Sequence, residues 1–268
     1  MEPIVSILMP TYEPNPHFLR EAIQSVLAQT EARWTLLIND DASSMDVRSM
    51  IQEFLSDPRI TFCRNPLRLG IGGNWNACLQ EATTPFVQFL FQDDVWNKDY
   101  LKTSLERLES DPSLGFVSTT HAYQSDKALP RSYHFVERER ALLPSGKQTG
   151  KAFLKKWLQQ GLYPNILGEP SFVMFRKTLI NQTGAFDESL KQCLDLDMWV
   201  RMLERSDVFI EQTSGGSFRV HLHSASVKNG SSTERLQVLS KALGHSILFH
   251  PILMTRLLIR WIQGKLIS

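Results

Sequence analysis

Residues 86–94 read FVQFLFQDD, an apolar run that ends in two adjacent carboxylates. The short run from Phe86 to Phe91 is rich in aromatic residues and predicts a buried strand. Asp93 and Asp94 then stand at its carboxyl end, where like charges repel each other and lose contact with water. In open α/β sheets, ligands bind beyond the carboxyl ends of the strands, so this position favours a binding site.

The first 120 residues alternate short apolar runs with amphipathic stretches, a pattern typical of βαβ units and a largely parallel sheet. The predicted strands are 4–9, 34–38, 60–63, 86–91 and 114–120. Helices are predicted between them, including 74–82 after a glycine-rich turn and 97–110 after the acidic pair. Polar residues also follow the first two strands, at 10–12 and 39–41, so three polar clusters converge on one edge of the sheet.

The second half of the chain is less regular. Residues 124–150 are polar and contain Pro130, Pro144 and Gly146, which predicts a long loop. Further helices are predicted at 149–160 and 195–205, and further strands at 172–175, 208–211 and 217–221.

The composition excludes some classes of protein. The 268 residues include 29 Lys and Arg against 28 Asp and Glu, and a net charge of +1 gives no reason to expect a nucleic-acid-binding surface. Cys63, Cys78 and Cys193 form no CxxC pair, so neither a disulfide framework nor a thiolate metal site is indicated. The N-terminal stretch MEPIVSILMP lacks the features of a signal peptide, and we therefore expect a cytoplasmic protein.

Residues 246–262 read SILFHPILMTRLLIRWI and are the segment most similar to a membrane span. His250, Pro251, Arg256 and Arg260 interrupt it, and it falls short of the roughly 20 apolar residues that a span needs. Its leucines recur at helical spacing beside the arginines, which suits a helix that lies on the inner face of a membrane or against a partner. A helix that packs on its own domain is an equal alternative.

Seven segments, in order, carry a resemblance to a known family. They are VSILMPTYEP, LLINDDASSMD, LGIGGNWNACLQEA, FVQFLFQDD, GAFDES, LDLDMWVRM and FRVHLHSAS. Each piece alone is weakly specific, whereas the seven in this order resemble the family 2 glycosyltransferases with the GT-A fold. The resemblance implies a Rossmann-like α/β fold, with a mixed but mostly parallel central sheet flanked by helices and a C-terminal helical extension.

The resemblance also implies an activity. It is the transfer of a sugar from a nucleotide-sugar, here a UDP-sugar, to an acceptor hydroxyl with inversion at the anomeric carbon, assisted by Mn²⁺ or Mg²⁺. The expected acceptor is a saccharide or a lipid-linked saccharide in cell-surface polysaccharide or glycolipid synthesis. Negative charge builds on the departing diphosphate, and a hard cation beside it stabilises that charge.

The resemblance assigns the cation site by position in these motifs. Asp94 is expected to bind the metal, and Asp93 to contact the donor ribose or the outer shell of the metal. His221 is expected to complete the shell, with His223 as its rival. Because both ions prefer oxygen ligands, substrate phosphate and water would fill the remaining positions. Alternatively, the acidic pair caps the helix predicted at 97–110.

The donor site is assigned in the same way. The residues expected to bind the nucleotide-sugar are Pro10, Thr11, Tyr12, Asp41, Arg68, Gly70, Asn76 and Asp93. A carboxylate at Asp41 that accepts the imino N–H of the base would distinguish uracil or thymine from other bases. Trp75 stands where relatives have an arginine, and Arg68 is expected to take over that contact with the diphosphate. Asp40 and Asp41 could instead form a turn into Ser43.

The resemblance places the general base at Asp195, which would take the acceptor hydroxyl's proton as its oxygen attacks the anomeric carbon. Partial burial near Trp199 would raise the pKa of Asp195 toward a value useful for a base. Asp197 lies about 200° further round a helix, so it is expected to pair with Arg201 instead. Alternatively, Asp195 only caps its helix. Glu169 and Trp199 are expected on the acceptor side, where an aromatic face could stack on a sugar ring.

The resemblance divides the chain into a nucleotide-sugar-binding part at 1–120, an acceptor-binding and catalytic part at 121–228, and a C-terminal helical tail at 229–268. Three positions depart from the family pattern, namely Trp75, Phe91 and Leu194. These departures leave a second interpretation open, a noncatalytic protein that keeps the fold and binds a polysaccharide or another transferase.

Overall fold

The computed structural model describes residues 2–221 and 232–244. The helices are α1 (Pro16–Leu27), α2 (Val47–Met50), α3 (Gly70–Gln80), α4 (Tyr100–Ser110), α5 (Arg131–Ala141), α6 (Gly150–Gln159), α7 (Lys177–Thr183), α8 (Leu194–Leu203) and α9 (Ser232–Ala242). The strands are β1 (Val5–Thr11), β2 (Trp34–Asp40), β3 (Ile60–Arg64), β4 (Phe86–Phe89), β5 (Val95–Trp96), β6 (Leu114–Thr119), β7 (Ala122–Gln124), β8 (Gly146–Gln148), β9 (Val173–Arg176), β10 (Asp207–Glu211) and β11 (Gly216–Arg219).

Eight strands form a central sheet in the order β3-β2-β1-β4-β9-β6-β10-β8. The strands from β3 to β4 are parallel, β9 runs antiparallel to both β4 and β6, and β10 is parallel to β6. The edge strand β8 is antiparallel to β10. The prediction of a mixed, mostly parallel sheet flanked by helices is confirmed.

Strand β1 shows why the sheet forms in this region. All seven of its residues are buried, as expected of a strand with a neighbour on each side and helices on both faces. Alternate side chains enter two different apolar clusters, with Leu8 in one and Ile7 and Met9 in the other. Thr11 pairs with Asp40 of β2, so the carboxyl ends of these two strands lie side by side.

The aromatic run at 86–91 forms β4, but the strand ends at Phe89 rather than at Phe91. Leu90 still donates its N–H to Leu8 O of β1 at 2.9 Å. The N–H of Phe91 donates instead to the hydroxyl of Ser171 at 3.0 Å. The chain therefore leaves the sheet at Phe91, and the acidic pair lies beyond its carboxyl edge.

A second, smaller sheet continues from this edge, with three strands in the order β5-β11-β7. The strands predicted at 208–211 and 217–221 both form, as β10 and β11, but they belong to different sheets. Strand β11 can approach β5 because Gly216 has no side chain, and a Cβ there would lie 2.1 Å from Val95 O. This close approach brings the backbone of Arg219 to Asp94.

The prediction of a long loop at 124–150 is wrong, because this stretch contains α5 and β8. Helix α5 is rich in charged side chains, and the residue that it buries is Arg140. Sequence periodicity detects a helix by its apolar face, and a helix whose buried residue is an arginine has no such face. The hydrophobic pattern of the sequence therefore did not reveal α5.

Helix α3 begins at Gly70 rather than at residue 74. The N–H groups of Leu69 and Gly70 donate to the two carboxylate oxygens of Asp41 at 2.8 and 2.9 Å. The glycine-rich stretch is therefore the first turn of a helix, and an acidic residue next to β2 satisfies the N–H groups at the helix start.

Helix α9 packs against α8, with Val238 and Leu239 buried in the same apolar cluster as Leu196. A C-terminal helix is thus confirmed for residues 232–242. The predictions made for His223 and for the segment 246–262 lie outside the described residues. Within 2–221 and 232–244, no helix is long and apolar enough to cross a membrane.

Candidate active site

The polar ends of β1, β2 and β4 meet at one edge of the central sheet. Asp41 N donates to Thr11 O at 2.8 Å, which joins the ends of β1 and β2. Gln92 joins β1 to the segment after β4, because its Oε1 accepts from Tyr12 N at 2.9 Å and its Nε2 donates to Tyr12 O at 3.2 Å. The acidic pair that follows Gln92 is therefore fixed beside the ends of both strands.

Asp94 is fully buried, and its two carboxylate oxygens differ. Oδ1 accepts from the N–H of Arg219 at 3.1 Å, whereas Oδ2 has no hydrogen-bond partner among the described residues. Burial raises the pKa of Asp94, and the negative charge of Asp93 raises it further. A buried carboxylate oxygen without a donor, beside a second carboxylate, fits a site that receives a cation.

Asp93 lies next to His221, with 2.8 Å between Asp93 Oδ2 and His221 Nε2. The imidazole ring of His221 also packs against Phe18. Within the described residues, no cluster of three or more His, Cys, Asp or Glu side chains could hold a metal alone. A cation at Asp94 would therefore take further ligands from the phosphates of a substrate and from water, as Mg²⁺ commonly does.

The structure does not support the alternative in which the acidic pair caps a helix. Helix α4 begins at Tyr100, and the residue at its N-cap is Asp99, which makes no side-chain cap hydrogen bond. The described partners of the acidic pair belong to β11 and to His221, not to α4.

Asp41 is buried, and its carboxylate fixes the stretch 65–70. Its Oδ1 accepts from Asn65 Nδ2 at 2.9 Å as well as from Leu69 N, and its Oδ2 accepts from Gly70 N. Asp40 accepts from Ser43 N at 3.2 Å, which confirms the predicted turn for that residue. A contact between Asp41 and a nucleotide base stays a prediction.

Tyr12 and Arg68 come together at this edge, with the guanidinium carbon of Arg68 4.1 Å from the centre of the Tyr12 ring. Both side chains are exposed. Pro10 and Thr11 are buried at the end of β1, and the Thr11 hydroxyl donates to Asn39 O at 3.3 Å. Of Pro10, Thr11 and Tyr12, which are all expected to bind the nucleotide-sugar, Tyr12 is thus the one whose side chain a ligand can reach.

Asn76 lies in α3 with its side-chain amide satisfied within the protein. It donates to Phe186 O at 3.0 Å and to Glu188 Oε1 at 2.8 Å, and it accepts from Phe186 N at 2.9 Å. The side-chain amide of Asn76 therefore bonds to residues 186–188 in this structure. A donor contact by Asn76 stays a prediction.

Asp195 is the second residue of α8, and its carboxylate is held at both oxygens. Oδ2 accepts from Asn165 Nδ2 at 2.8 Å, and Oδ1 accepts from Leu196 N at 2.7 Å. Burial raises the pKa of Asp195 to about 7, against the opposing effect of the Leu196 N–H. A carboxylate that titrates near neutral pH can both accept and release a proton under ordinary conditions.

The cap interpretation of Asp195 is incomplete, because Asn165 from another segment holds its second oxygen. The helix N-cap is Cys193, which makes no side-chain cap bond. The expectation for Asp197 is confirmed: its Oδ2 lies 2.9 Å from Arg201 Nε and 2.7 Å from Arg201 Nη2.

A buried ion network lies beside Asp195, and the sequence did not predict it. Glu169 Oε2 lies 2.9 Å from both Arg140 Nη2 and His121 Nε2, and Arg140 Nη2 also donates to Asn165 O at 3.3 Å. Burial alone would raise the pKa of Glu169, but Arg140 and His121 outweigh it and hold that pKa well below its usual range. Burial and Arg140 lower the pKa of His121, which favours its neutral form.

Residues 165–171, which we call the linking segment, connect the two carboxylate environments. Asn165 at its start holds Asp195. Ser171 at its end accepts from the N–H of Phe91 at 3.0 Å, two positions before Asp93. After burial, which is the largest cause in each case, the charge of Glu169 contributes to the raised pKa of both Asp94 and Asp195. The predicted contact of Glu169 with an acceptor stays a prediction.

The structure corrects the role expected for Trp199. Its side chain is fully buried, stacks on Phe116 with 6.2 Å between ring centres, and donates from Nε1 to Gly168 O at 2.9 Å. A sugar cannot stack on a ring that has no exposed face. Trp199 instead supports the linking segment from within the core.

The functional residues that the sequence did not reveal are Arg140, His121 and Asn165. Each lies in a stretch with no recognisable motif, and each matters through a contact distant in sequence. A buried arginine in a polar helix is visible as a site residue only after the fold is known.

The fold and the two carboxylate environments define a class of protein. A mostly parallel sheet ends beside the acidic pair, whose Asp94 is buried and has one oxygen with no hydrogen-bond donor among the described residues. The carboxyl of Asp195, with a pKa of about 7, lies on the other side of the linking segment. The sheet and the layers of helices around it are those of the GT-A fold.

Comparison with known proteins gives the family. Residues 6–181 match the family model described as Glycosyl transferase family 2. The match covers more than half of the chain, and the chain belongs to this family.

Two relatives illustrate the range of similarity. The chain is 30% identical to Uncharacterized protein MT1568 of Mycobacterium tuberculosis (strain CDC 1551 / Oshkosh), over 77% of this chain and 64% of that protein. It is 39% identical to the Escherichia coli UDP-Glc:alpha-D-GlcNAc-diphosphoundecaprenol beta-1,3-glucosyltransferase WfgD, over 39% of this chain and 41% of that protein. The chain thus spans less than two thirds of the length of either relative.

Solved structures show the same fold. The S. aureus TarS 1-349 structure in complex with UDP-GlcNAc superposes with a TM-score of 0.69 at 15% identity, over 92% of this chain and 73% of that chain. The mannosyltransferase PcManGT from Pyrobaculum calidifontis, in complex with GDP-Man and Mn²⁺, gives a TM-score of 0.64 at 17% identity, over 95% of this chain and 69% of that chain. The predicted GT-A fold is confirmed.

Proposed function

We propose that this chain transfers a sugar from a UDP-sugar to an acceptor hydroxyl with inversion at the anomeric carbon, and that the reaction depends on Mn²⁺ or Mg²⁺. The observation that carries the proposal is the contrast between two acidic sites joined by the linking segment. Asp94 has a buried oxygen with no donor in the described part of the chain, and Asp195 is a carboxylate held at both oxygens with a pKa of about 7.

The residues present fit a divalent cation. Asp94 would hold it through Oδ2, with Asp93 and His221 at the edge of its shell. When bound, the ion supplies positive charge beside the diphosphate that leaves with the nucleotide. Asp94 is held by the N–H of Arg219, so its free oxygen keeps one orientation without the metal.

Asp195 would carry out the proton transfer. Its charged form accepts the proton of the acceptor hydroxyl while that oxygen forms a bond to the anomeric carbon and the bond to the diphosphate breaks. Asn165 and the N–H of Leu196 each hold one oxygen of this carboxylate and so fix its orientation. A single displacement from the face opposite the leaving group inverts the anomeric carbon.

The donor is proposed to be a UDP-sugar, with Tyr12 packing on the base and Arg68 beside the diphosphate. The exposed pair of Tyr12 and Arg68 supports this assignment, as does the UDP-GlcNAc complex of the TarS structure. The GDP-Man complex of PcManGT makes a GDP-sugar the natural competitor.

The acceptor is proposed to be a saccharide, free or linked to a lipid, in the synthesis of a cell-surface polysaccharide or glycolipid. The name of the WfgD relative, whose acceptor is a diphosphoundecaprenol-linked sugar, supports this class. We place the reaction at the cytoplasmic side of a membrane, with contact through residues 246–262. The division into donor, acceptor and tail parts at 1–120, 121–228 and 229–268 is part of the same proposal.

Ligand-dependent stability tests the proposal. The melting temperature of the full chain is measured with UDP-, GDP- and dTDP-sugars, each with Mn²⁺ and with EDTA, because a ligand that binds the native state raises apparent stability. We expect the largest rise with a UDP-sugar and Mn²⁺. A rise that is equal in EDTA contradicts the metal site, and a larger rise with GDP-sugars contradicts the assigned base.

Transfer to an acceptor is tested by ¹H NMR, since the coupling constant of the anomeric proton reports whether the configuration has inverted. Retention would contradict the single-base mechanism.

The alternative of a noncatalytic partner has one structural observation in its favour. Phe91 and Trp75, two of the positions that depart from the family, stack on each other with 4.8 Å between ring centres. Absence of UDP binding at millimolar concentration would favour that alternative.

A further inference from the structure

Helix α9 is fixed to the start of the helix that carries Asp195. The carboxylate of Glu234 accepts three backbone N–H groups just before α8: Lys191 N at 2.9 Å, Gln192 N at 2.7 Å and Cys193 N at 3.0 Å. Such a charged acceptor for successive N–H groups stabilises the start of a helix. The residue that follows Glu234 is therefore held in a defined place near the candidate base.

That residue is Arg235, which follows Glu234, the acceptor for the N–H of Cys193 two positions before Asp195. Its guanidinium carbon is 4.6 Å from the centre of the Tyr163 ring. Its positive charge opposes the rise in the pKa of Asp195 and also interacts with Cys193, although it forms no ion pair with either residue. Tyr163 is two positions before Asn165, the residue that holds Asp195. Arg235 thus borders the region where an acceptor hydroxyl would approach the base.

Arg235 is a partly buried cation with no counter-ion among the residues that the structure describes. Within 2–221 and 232–244, no hydrogen bond or ion pair is found for its guanidinium, and its Nε is buried without a partner. Burial lowers the pKa of Arg235, which shows that the environment disfavours its charge. Burying a charged group without a partner is strongly unfavourable, and native proteins seldom retain it without a reason.

The contrast with Arg140 and Arg201 makes the position distinctive. Arg140 is buried and pairs with Glu169, and Arg201 pairs with Asp197. These two arginines pair with carboxylates, whereas Arg235 pairs with none in the described part of the chain. A guanidinium presents several N–H donors in a plane, a geometry that suits phosphate oxygens.

We propose that Arg235 binds a phosphate group of the acceptor, beside the hydroxyl that Asp195 deprotonates. This inference rests on the proposed function, and it names the chemical class of the acceptor. The group is a phosphate ester, carried either by a diphosphate-linked lipid or by free phosphate-bearing molecules. The acceptor in the name of the WfgD relative carries a diphosphate of this kind.

The physical reason for such a site is neutralisation of charge. A phosphate brought close to Asp195 would by itself raise the pKa of that carboxyl and weaken it as a base at neutral pH. A cation between them offsets this effect. Arg235 would therefore bind the acceptor and keep Asp195 able to accept a proton in its presence.

The test measures binding to the full chain saturated with UDP and Mn²⁺, by isothermal titration. The probes are octyl diphosphate, octanol as its neutral counterpart, and inorganic phosphate. We expect octyl diphosphate to bind, octanol to bind much more weakly, and Arg235→Met to weaken octyl diphosphate about tenfold or more. Arg235→Lys, which keeps the charge, should restore part of the affinity.

A matched control is Lys191→Met, which removes an exposed positive charge from the segment next to α8 while its backbone N–H remains. It should leave the ratio of octyl diphosphate to octanol affinity unchanged. Because this ratio is measured on one preparation, loss of folded protein cannot alter it. If inorganic phosphate binds as tightly as octyl diphosphate and responds equally to Arg235→Met, a free phosphate-bearing acceptor is supported over a lipid-linked one.

Three results would overturn the inference: equal binding of octyl diphosphate and octanol, no binding of either, or an equal loss for both in Arg235→Met. The last would show that Arg235 only supports the docking of α9. A separate titration with UDP and Mn²⁺ keeps the two proposals apart. Normal UDP binding with no preference for phosphate defeats this inference alone, whereas loss of UDP binding in the wild-type chain defeats the proposed function.

Discussion

Asp94 and Asp195 are the same residue type in two different environments, and the comparison between them explains the site. Burial is the largest cause of a raised pKa at both positions. Asp94 has a second carboxylate next to it in sequence, and within 2–221 and 232–244 no donor bonds to its Oδ2. Asp195 is held at both oxygens by neutral N–H donors.

The difference shows how neighbours select a role for a carboxylate. The like charge of Asp93 beside Asp94 is unfavourable, and a bound cation would offset it. Neutral donors around Asp195 leave a single carboxylate that can change between its charged and protonated forms near neutral pH. The linking segment contacts both environments, with Asn165 bonded to Asp195 and Ser171 bonded to the N–H of Phe91. Substitutions in each environment can show whether the two act separately.

The largest expected effect is on transfer by Asp195→Asn. An amide cannot take the acceptor proton, so the rate of sugar transfer should fall by about 10³-fold, while the KM for the UDP-sugar stays near that of the wild type. Asp197→Asn, on the same helix, is the control, because that residue pairs with Arg201 and faces away from the base. If Asp195→Asn keeps a tenth of the activity, Asp195 is not the base.

The second effect is on stability, through the ion network beside Asp195. Arg140→Met leaves Glu169 buried without its main partner, and we expect the free energy of unfolding to fall by about 3–5 kcal/mol. Denaturation by urea measures it. Arg138→Met, at an exposed position of the same helix, should cost less than about 1 kcal/mol. Similar losses in the two variants would show that the network adds no stability.

The pH dependence distinguishes the two acids further. Asp195 must be charged to act as a base, so kcat/KM for transfer should rise about tenfold per pH unit below pH 7 and level off above it. Folding raises this pKa above its value in the unfolded chain, so the carboxyl's stabilising contribution is lost as pH rises through about 7.

A consequence for Asp195→Asn follows from the same linkage. The amide does not have to ionise, so this variant should be more stable than the wild type at pH 8 and should show little difference at pH 4. Melting curves at the two pH values measure it. A transfer rate that is flat between pH 5 and pH 8 would contradict the assignment of a near-neutral base.

The smallest effect is expected at Glu234, which stabilises the start of α8, the helix that carries Asp195. Glu234→Ala leaves three N–H groups before α8 without an acceptor, and the free energy of unfolding should fall by about 1–2 kcal/mol. Glu234→Gln, which keeps one carbonyl acceptor, should cost less. An Ala variant as stable as the wild type would show that α9 does not hold α8.

Residues 1–120 could be predicted well from sequence because their central strands are buried on both faces. Continuous apolar runs marked β1, β2 and β4, and the polar residues at their ends pointed to the site. The boundaries shifted where side chains intervened, as at Phe91, whose N–H donates to Ser171, and at Gly70, whose N–H donates to Asp41.

Residues 121–221 could be predicted less well, because their decisive contacts join residues distant in sequence. Arg140 reaches Glu169 and Asn165 from a helix with no apolar face, so no local pattern revealed it. Trp199 shows the opposite case. Its motif suggested a sugar-binding surface, yet only the packed structure shows that the ring is buried against Phe116.

The most direct test of the comparison is the affinity for UDP with Mn²⁺ and with EDTA, measured by isothermal titration on Asp94→Asn and Asp195→Asn. We predict that Asp94→Asn loses the gain in affinity that Mn²⁺ gives the wild type, and that Asp195→Asn keeps it. The same response in both variants, or a loss confined to Asp195→Asn, would contradict the separation of a cation-binding acid from a proton-accepting one.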